Sequence, residues 1–242
     1  QFTFIKKKED LIQVLKEHGE GCYIFKPIAG SHGAGIIRFY FRNNQIVNDV
    51  GAEADLSSVL IQEEPSNSYI LQRFLKPHSE LNELMPDGGL GTVRIVTIGN
   101  SSDLIVFSPC IRIPVGNGVA DNFSHGKSEN LVAAIDLLTG KIDTPFGADS
   151  LGLGLVTEDE RHPSSQLKVE GVSFPYWNEM LALVTKAAKD FSELKTVGWD
   201  VALTEDGPCL IEGNWRYDCD LLQVAFDKGM KMELSAHLKA TF

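Results

Sequence analysis

From Val197 to Asn214 the chain alternates in the manner of a β-hairpin. Trp199, Val201 and Leu203 fall on one side, and Gly198, Asp200, Ala202 and Thr204 on the other, a period of two. After the turn, Leu210, Glu212 and Asn214 share a face. Glu205-Asp206-Gly207 suits a three-residue loop with glycine in the left-handed position. Such a loop pairs Thr204 with Pro208 and sets Asp200 directly opposite Glu212. Facing residues hold their Cβ atoms about 4.5–5.5 Å apart, and two carboxylates at that spacing repel unless a cation lies between them. With the amide oxygen of Asn214, the three side chains make a hard-oxygen set suited to Mg²⁺. The bland alternative is a surface hairpin with exposed acids. The apolar neighbours of Glu212 and Asn214 favour the metal.

The 242 residues suffice for one large domain or two small ones with a proper core. A formal charge of −11 argues against non-specific nucleic-acid binding, which needs basic surface. It leaves room for a local cation cluster. No apolar run approaches the roughly 18 residues of a membrane span, and there is no secretory signal pattern. Cys22, Cys110, Cys209 and Cys219 are scattered without a C-x-x-C motif, which reads as reduced thiols in a cytoplasmic protein.

Lys7 to His18 reads as a helix stopped by Gly19, Cys22 to Lys26 as a strand, and Pro27 to Gly35 as a glycine-rich loop. Strands follow at Ile36–Phe41 and near Ile46, then a helix from Asp55 to Glu63 and a strand from Tyr69 to Leu75. Residues 1–75 thus form a compact unit. Beyond Pro77, strands are expected at Gly91–Ile98, Leu104–Val115 and Val132–Leu138, with polar stretches at 116–130 and 144–172. A strong helix runs from Pro175 to Leu194, and a last helix from Asp220 to about Lys228. Helices with mainly antiparallel strands in two lobes, 1–75 and 76–242, give an α+β fold.

Several residues invite a chemical reading. Lys26 ends a strand and precedes a loop containing Gly30, Ser31, His32, Gly33 and Gly35. Such glycines let backbone N–H groups turn toward an anion, but no Gly-Lys-Ser/Thr closes the loop, so it is no P-loop; an ordinary turn is the alternative. The strand through Gln72, Arg73 and Leu75 can offer backbone groups to a base, with Glu80 beyond it able to hold a ribose, or it is a core strand beside a solvated acid. Arg94 and Arg112 are each embedded among apolar strand residues, where an unpaired guanidinium is costly. They either aim at a shared external anion or form ion pairs with nearby acids. The segment Asp121-Asn122-Phe123-Ser124-His125-Gly126 could order a substrate or be a surface turn. His162 reads more readily as structural than catalytic, and no Ser-His-Asp or Cys-His pattern stands out.

In order, these pieces resemble the ATP-grasp superfamily: a Lys before a glycine-rich hairpin loop, a linker strand with a ribose acid, strand arginines, then Asp, eleven residues, Glu, one residue, Asn. Gly91-Thr92-Val93-Arg94-Ile95-Val96-Thr97, Ala120 to Gly126, Thr139-Gly140-Lys141, His162-Pro163, Val197 to Val201 and Ile211-Glu212-Gly213-Asn214 make it most similar to the sugar-transfer-associated ATP-grasp branch, itself similar to α-L-glutamate ligases. The resemblance implies two α+β lobes with ATP between them. It implies Lys26 on the α- or β-phosphate, Ser31, His32 and Gly33 over the triphosphate, and Gln72, Arg73 and Leu75 along adenine. Glu80 would bind ribose, and Asp200, Glu212 and Asn214 one or two Mg²⁺. Arg94 and Arg112 would stabilise the transferring group, with Asn122 beside them. The family's usual preceding α/β domain has no counterpart in the 25 residues before Lys26.

The expected activity is ATP- and Mg²⁺-dependent joining of a small-molecule or peptide carboxylate to an amine through an acyl phosphate. A small-molecule kinase, or a nucleotide-binding module without turnover, is the alternative. A homodimer is among the oligomeric states admitted. Asp200→Ala is expected to abolish turnover while leaving the fold largely intact.

Overall fold

The structure is a computed structural model that describes residues 5, 7–28, 35–60, 68–99, 103–116, 121–123, 127–147 and 161–241. The chain divides into two compact units, Gln1–Leu75 and Lys76–Phe242. Helices and purely antiparallel strand pairings make the fold α+β.

In the first unit, α1 (Lys8–His18) buries Leu11 and Leu15, one helical turn apart, against Tyr23, Phe25, Phe39 and Phe41. Those aromatics come from alternate positions of β1 (Gly21–Pro27) and β2 (Ile37–Arg42), as a half-buried sheet requires. Asn43 and Asn44 both take left-handed conformations, the turn that matches strand twist, and lead into β3 (Gln45–Val47). A short α2 (Ser57–Leu60) follows, its start fixed by the Asp55 carboxylate accepting from the Ser57 N–H at 2.9 Å. The sheet closes with β4 (Tyr69–Arg73) in the order β3-β2-β1-β4.

In the second unit, β5 (Val93–Ile98), β6 (Ile105–Ile113), β7 (Leu131–Ala134), β8 (Thr196–Thr204) and β9 (Gly207–Asn214) form a sheet of order β7-β6-β5-β8-β9. One face is sealed by α3 (Trp177–Asp190), whose Trp177, Met180, Val184 and Ala188 sit three or four residues apart and pack on Ile95, Trp199 and Val201. Gly140 (φ +70°) permits this docking, because a Cβ there would lie 2.7 Å from the Trp177 ring. On the opposite face α4 (Asp220–Ala225) sets Leu221, Leu222 and Ala225 in one apolar cluster with Val96, Ile98, Cys110 and Val132. Arg94, Arg112 and Asp200 lie on the same face beside this cluster.

Two expectations are corrected. The helix expected from Asp220 to about Lys228 is α4, which ends at Ala225, and a further helix not expected from the sequence, α5 (Lys231–Thr241), follows it. The β8–β9 turn has two residues, not three: Thr204 pairs with Gly207 and Leu203 with Pro208. A bulge between Asp200 and Val201 then inserts one residue on β9, so Asp200 still faces Glu212.

Candidate functional site: a buried arginine–carboxylate cluster

Four strands contribute to one row across the polar part of the sheet. Cys110 on β6 pairs with Arg94 on β5, Arg94 with Asp200 on β8, and Asp200 with Glu212 on β9. Strand periodicity turns all four toward the same face, away from α3. Arg94 grips Asp200 with two bonds, Nε to Oδ1 at 2.5 Å and Nη2 to Oδ2 at 3.0 Å. This fork geometry is what a planar guanidinium offers a carboxylate. Both groups are buried, Asp200 to 1 % exposure. Gly198 makes the arrangement fit: a Cβ there would come within 3.1 Å of Arg94 Cδ and 2.9 Å of Tyr217 Cβ.

Arg112 enters from β6 and bridges two acids, placing Nη2 2.9 Å from Asp200 Oδ2 and Nε 3.2 Å from Asp121 Oδ2. Thr92 lies beneath it. The Thr92 hydroxyl accepts from Arg112 Nε at 3.1 Å and also from Nη2, and donates to Asp121 at 2.6 Å. The Thr92 N–H adds a second bond to Asp121 at 2.7 Å. Two guanidiniums and two carboxylates thus cancel in a water-poor pocket. The shared anion on which the strand arginines converge is Asp200 itself, so of the two readings open in the sequence the ion pair is the one observed.

Burial pushes the Asp200 carboxyl up, but Arg112 and Arg94 outweigh it and hold the group below its ordinary value. At Asp121 burial prevails over Arg112 and Thr92, and the carboxyl is raised. Burial also works against the Arg112 charge, yet Asp121 and Asp200 together raise that group. Cys110, buried beside the arginines, is pushed up by burial to about 12 and is an inert thiol.

The residues expected to hold Mg²⁺ lie together at the Asp200–Glu212 end of the row. The Asn214 amide reaches both acids, with Nδ2 3.4 Å from Asp200 Oδ2 and 3.3 Å from Glu212 Oε1. Rotating the amide by half a turn exchanges its nitrogen and oxygen. With its oxygen in that place, Asn214 would join Asp200 and Glu212 in the all-oxygen donor set that Mg²⁺ prefers. Among the described residues no three of His, Cys, Asp and Glu converge as a metal group; the set is two carboxylates and an amide.

The remaining expected site residues lie elsewhere. Ser31, His32 and Gly33 fall outside the described residues. Lys26, one residue before the end of β1, pairs with Ile70. Phe74 N–H donates to Cys22 O at 2.9 Å, so the alternation of an antiparallel pair turns the Gln72 backbone toward β1 and the Arg73 backbone toward the outer edge of β4. The Arg73 side chain folds over the Tyr23 ring and donates to His18 O at the end of α1. Leu75 is half-buried. Glu80 lies in a 3₁₀ turn (Ser79–Leu81) at the turn end of the β8–β9 hairpin, where Ser79 N–H donates to Glu205. It lines an open groove of about 420 Å³ with Thr139, Tyr176 and Asn178, at the start of α3. Asn122 follows Asp121 and its backbone carbonyl accepts from Asn130 at 3.0 Å. His162 is fully buried, with Nδ1 accepting from Ser164 and Ser165 N–H and Nε2 against Pro114 O, a structural histidine.

Sequence reasoning missed Thr92 and the anchoring role of Asp121. Thr92 precedes Arg94 by two and so shares its face, a signal available from strand periodicity. The partnership of Asp121 with Arg112 spans a loop and leaves no local trace.

The sequence matches the sugar-transfer associated ATP-grasp family over residues 2–239. The chain therefore belongs to that family, which supports ATP binding and ATP-dependent chemistry of the ligase or kinase type. No curated protein matches it closely enough to count as a relative. No helix among the described residues is long and apolar enough to cross a membrane.

Proposed function

We propose that this protein is an ATP- and Mg²⁺-dependent carboxylate–amine ligase acting through an acyl phosphate. The observation that carries the reading is the row Arg94–Asp200–Glu212, with Asn214 spanning its two acids, on one sheet face of an ATP-grasp protein. Mg²⁺ would be held by Asp200, Glu212 and Asn214, and would supply neutralisation of polyphosphate charge. The chain's own residues do the positioning. Asp121 and Thr92 fix the plane of Arg112, and Asp200 fixes that of Arg94, so neither guanidinium has to be ordered when charge develops nearby. A substrate carboxylate oxygen bonds to the γ-phosphorus as ADP leaves. The amine nitrogen then bonds to the acyl carbon as inorganic phosphate leaves and the nitrogen loses a proton. Scattered cysteines with no disulfide among them fit activity in a reducing cytoplasm.

The family's association with sugar transfer favours a second reading, phosphoryl transfer to a sugar hydroxyl. A screen of carboxylates and sugars with MgATP separates the two. A ligase releases phosphate only when carboxylate and amine are both present. A kinase converts ATP to ADP with no amine and leaves a stable phosphate ester. ATP turnover with neither signature would overturn both.

A further inference from the structure

Asp121 is closed on one oxygen and open on the other. Its Oδ2 accepts from the Thr92 N–H at 2.7 Å and from the Thr92 hydroxyl at 2.6 Å, and lies 3.2 Å from Arg112 Nε. Its Oδ1 takes no hydrogen bond among the described residues, nor is it one of their buried polar atoms left without a partner. The side chain keeps 11 % of its surface exposed, and with Oδ2 wrapped, Oδ1 is the oxygen left to meet a ligand. The segment that carries it is pinned from the far side too. Asn130 Nδ2 donates to Asn122 O and Ser128 Oγ to Phe123 O, each at 3.0 Å. Arg112 lies between Asp121 and Asp200, so this acid stands beside the arginine cluster yet apart from the residues expected to hold Mg²⁺.

We propose that Asp121 is the proton acceptor of the ligation step, taking on Oδ1 the proton that the attacking amine gives up. As the nitrogen bonds to the acyl carbon, the bond from that carbon to the phosphate oxygen breaks. Phosphate leaves with the electron pair, and the N–H proton passes to Oδ1, from which water later removes it. The geometry suits the transfer, because a proton received on Oδ1 leaves every donor to Oδ2 in place. Burial outweighs Arg112 and Thr92 and raises this carboxyl, which strengthens its hold on a proton once taken. The idea rests on the acyl-phosphate reading for the identity of the proton's donor; the open oxygen belongs to the fold itself.

The test gives the full chain MgATP, D-glucuronate or L-glutamate as carboxylate, and either glycinamide or hydroxylamine as nucleophile. Hydroxylamine attacks acyl phosphates without help from a base. Asp121→Asn keeps the side-chain shape and an oxygen for Thr92 but cannot take the proton. Its rate of product formation with glycinamide is expected to fall at least about a hundredfold, and its loss with hydroxylamine to be at least about tenfold smaller. Equal losses with both nucleophiles would make Asp121 a positioning residue for Arg112 and overturn the proposal. Should Asp121→Asn fail to fold, or wild type join neither carboxylate, labelling of wild type with a water-soluble carbodiimide and glycinamide in mild acid decides. Peptide mapping is expected to find Asp121 labelled through its open oxygen and Asp200 unlabelled. An unlabelled Asp121 overturns the proposal, because an acid closed to a small reagent cannot meet an amine. A wild type that forms no product counts against the ligase reading alone, since the labelling does not depend on it.

Discussion

Arg94 and Asp200 stand directly opposite each other on β5 and β8, and the guanidinium closes on the carboxylate with two bonds. The pair is buried and central, so Asp200 is a structural keystone as well as a candidate metal ligand. This changes what its removal should do. Asp200→Ala strands two buried guanidiniums and is expected to lower stability by about 3–5 kcal/mol. Urea unfolding monitored by Trp fluorescence checks this. The expectation of an intact fold with lost turnover is thereby revised: an Ala variant within about 0.5 kcal/mol of wild type would contradict the pairing.

The same pair sets an acid limb. The folded-state carboxyl of Asp200 lies below its ordinary value of 3.8. A group depressed in this way stabilises the fold above its unfolded value, and the stabilisation disappears as pH falls through the folded one. Asp121, raised by burial, has the opposite sign and is favoured protonated. Wild type is therefore expected to lose stability more steeply than Asp200→Asn below about pH 4. Thermal melts from pH 2 to 6 test the difference in slope, and parallel curves would count against it.

Gly198 tests the steric side of the site. Its Cβ would crowd Arg94 Cδ at 3.1 Å and Tyr217 Cβ at 2.9 Å. Gly198→Ala is expected to cost about 1–3 kcal/mol through overpacking and to disturb the grip of Arg94 on Asp200. A crystal structure of the variant checks the second point, with an unmoved Arg94 fork as the contrary result.

Cys110 offers a chemical probe of the same row. Its thiol is fully buried and pushed up to about 12. It should remain unmodified by a thiol-disulfide reagent at pH 8 in the native state and react after unfolding. Peptide mapping distinguishes it from Cys22, Cys209 and Cys219, which are partly exposed.

Much of this site was legible in the sequence because strand periodicity is strict. Alternation alone set Asp200, Gly198 and Ala202 on one face and Trp199 and Val201 on the other. It also put Asp200 across from Glu212, although by a compensated error. The expected three-residue turn is a two-residue turn, and the bulge after Asp200 restores the register. A bulge has no composition signal, so turn length and bulge could not be separated. The embedded arginines signalled a buried counter-charge, but their partners could not be named, since Arg94 and Asp200 are 106 positions apart. Helix α5 escaped because the apolar residues of Lys231–Thr241 form no sharp stripe. Arg73 shows the limit of a linker reading: its side chain caps α1 through His18 O, a contact across 55 positions.

The central claim is that the Asp200–Glu212–Asn214 group receives ATP as its Mg²⁺ complex. Calorimetric titration of ATP into wild type and Glu212→Gln, each with Mg²⁺ and with EDTA, tests it most directly. Glu212 faces Asp200 across the hairpin and meets the Asn214 amide, so its loss probes the metal while the Arg94–Asp200 fork is kept. The account predicts Mg²⁺-dependent binding by wild type, weakened about tenfold or more by Glu212→Gln. Binding of equal strength with and without Mg²⁺, or binding indifferent to Glu212→Gln, would contradict it.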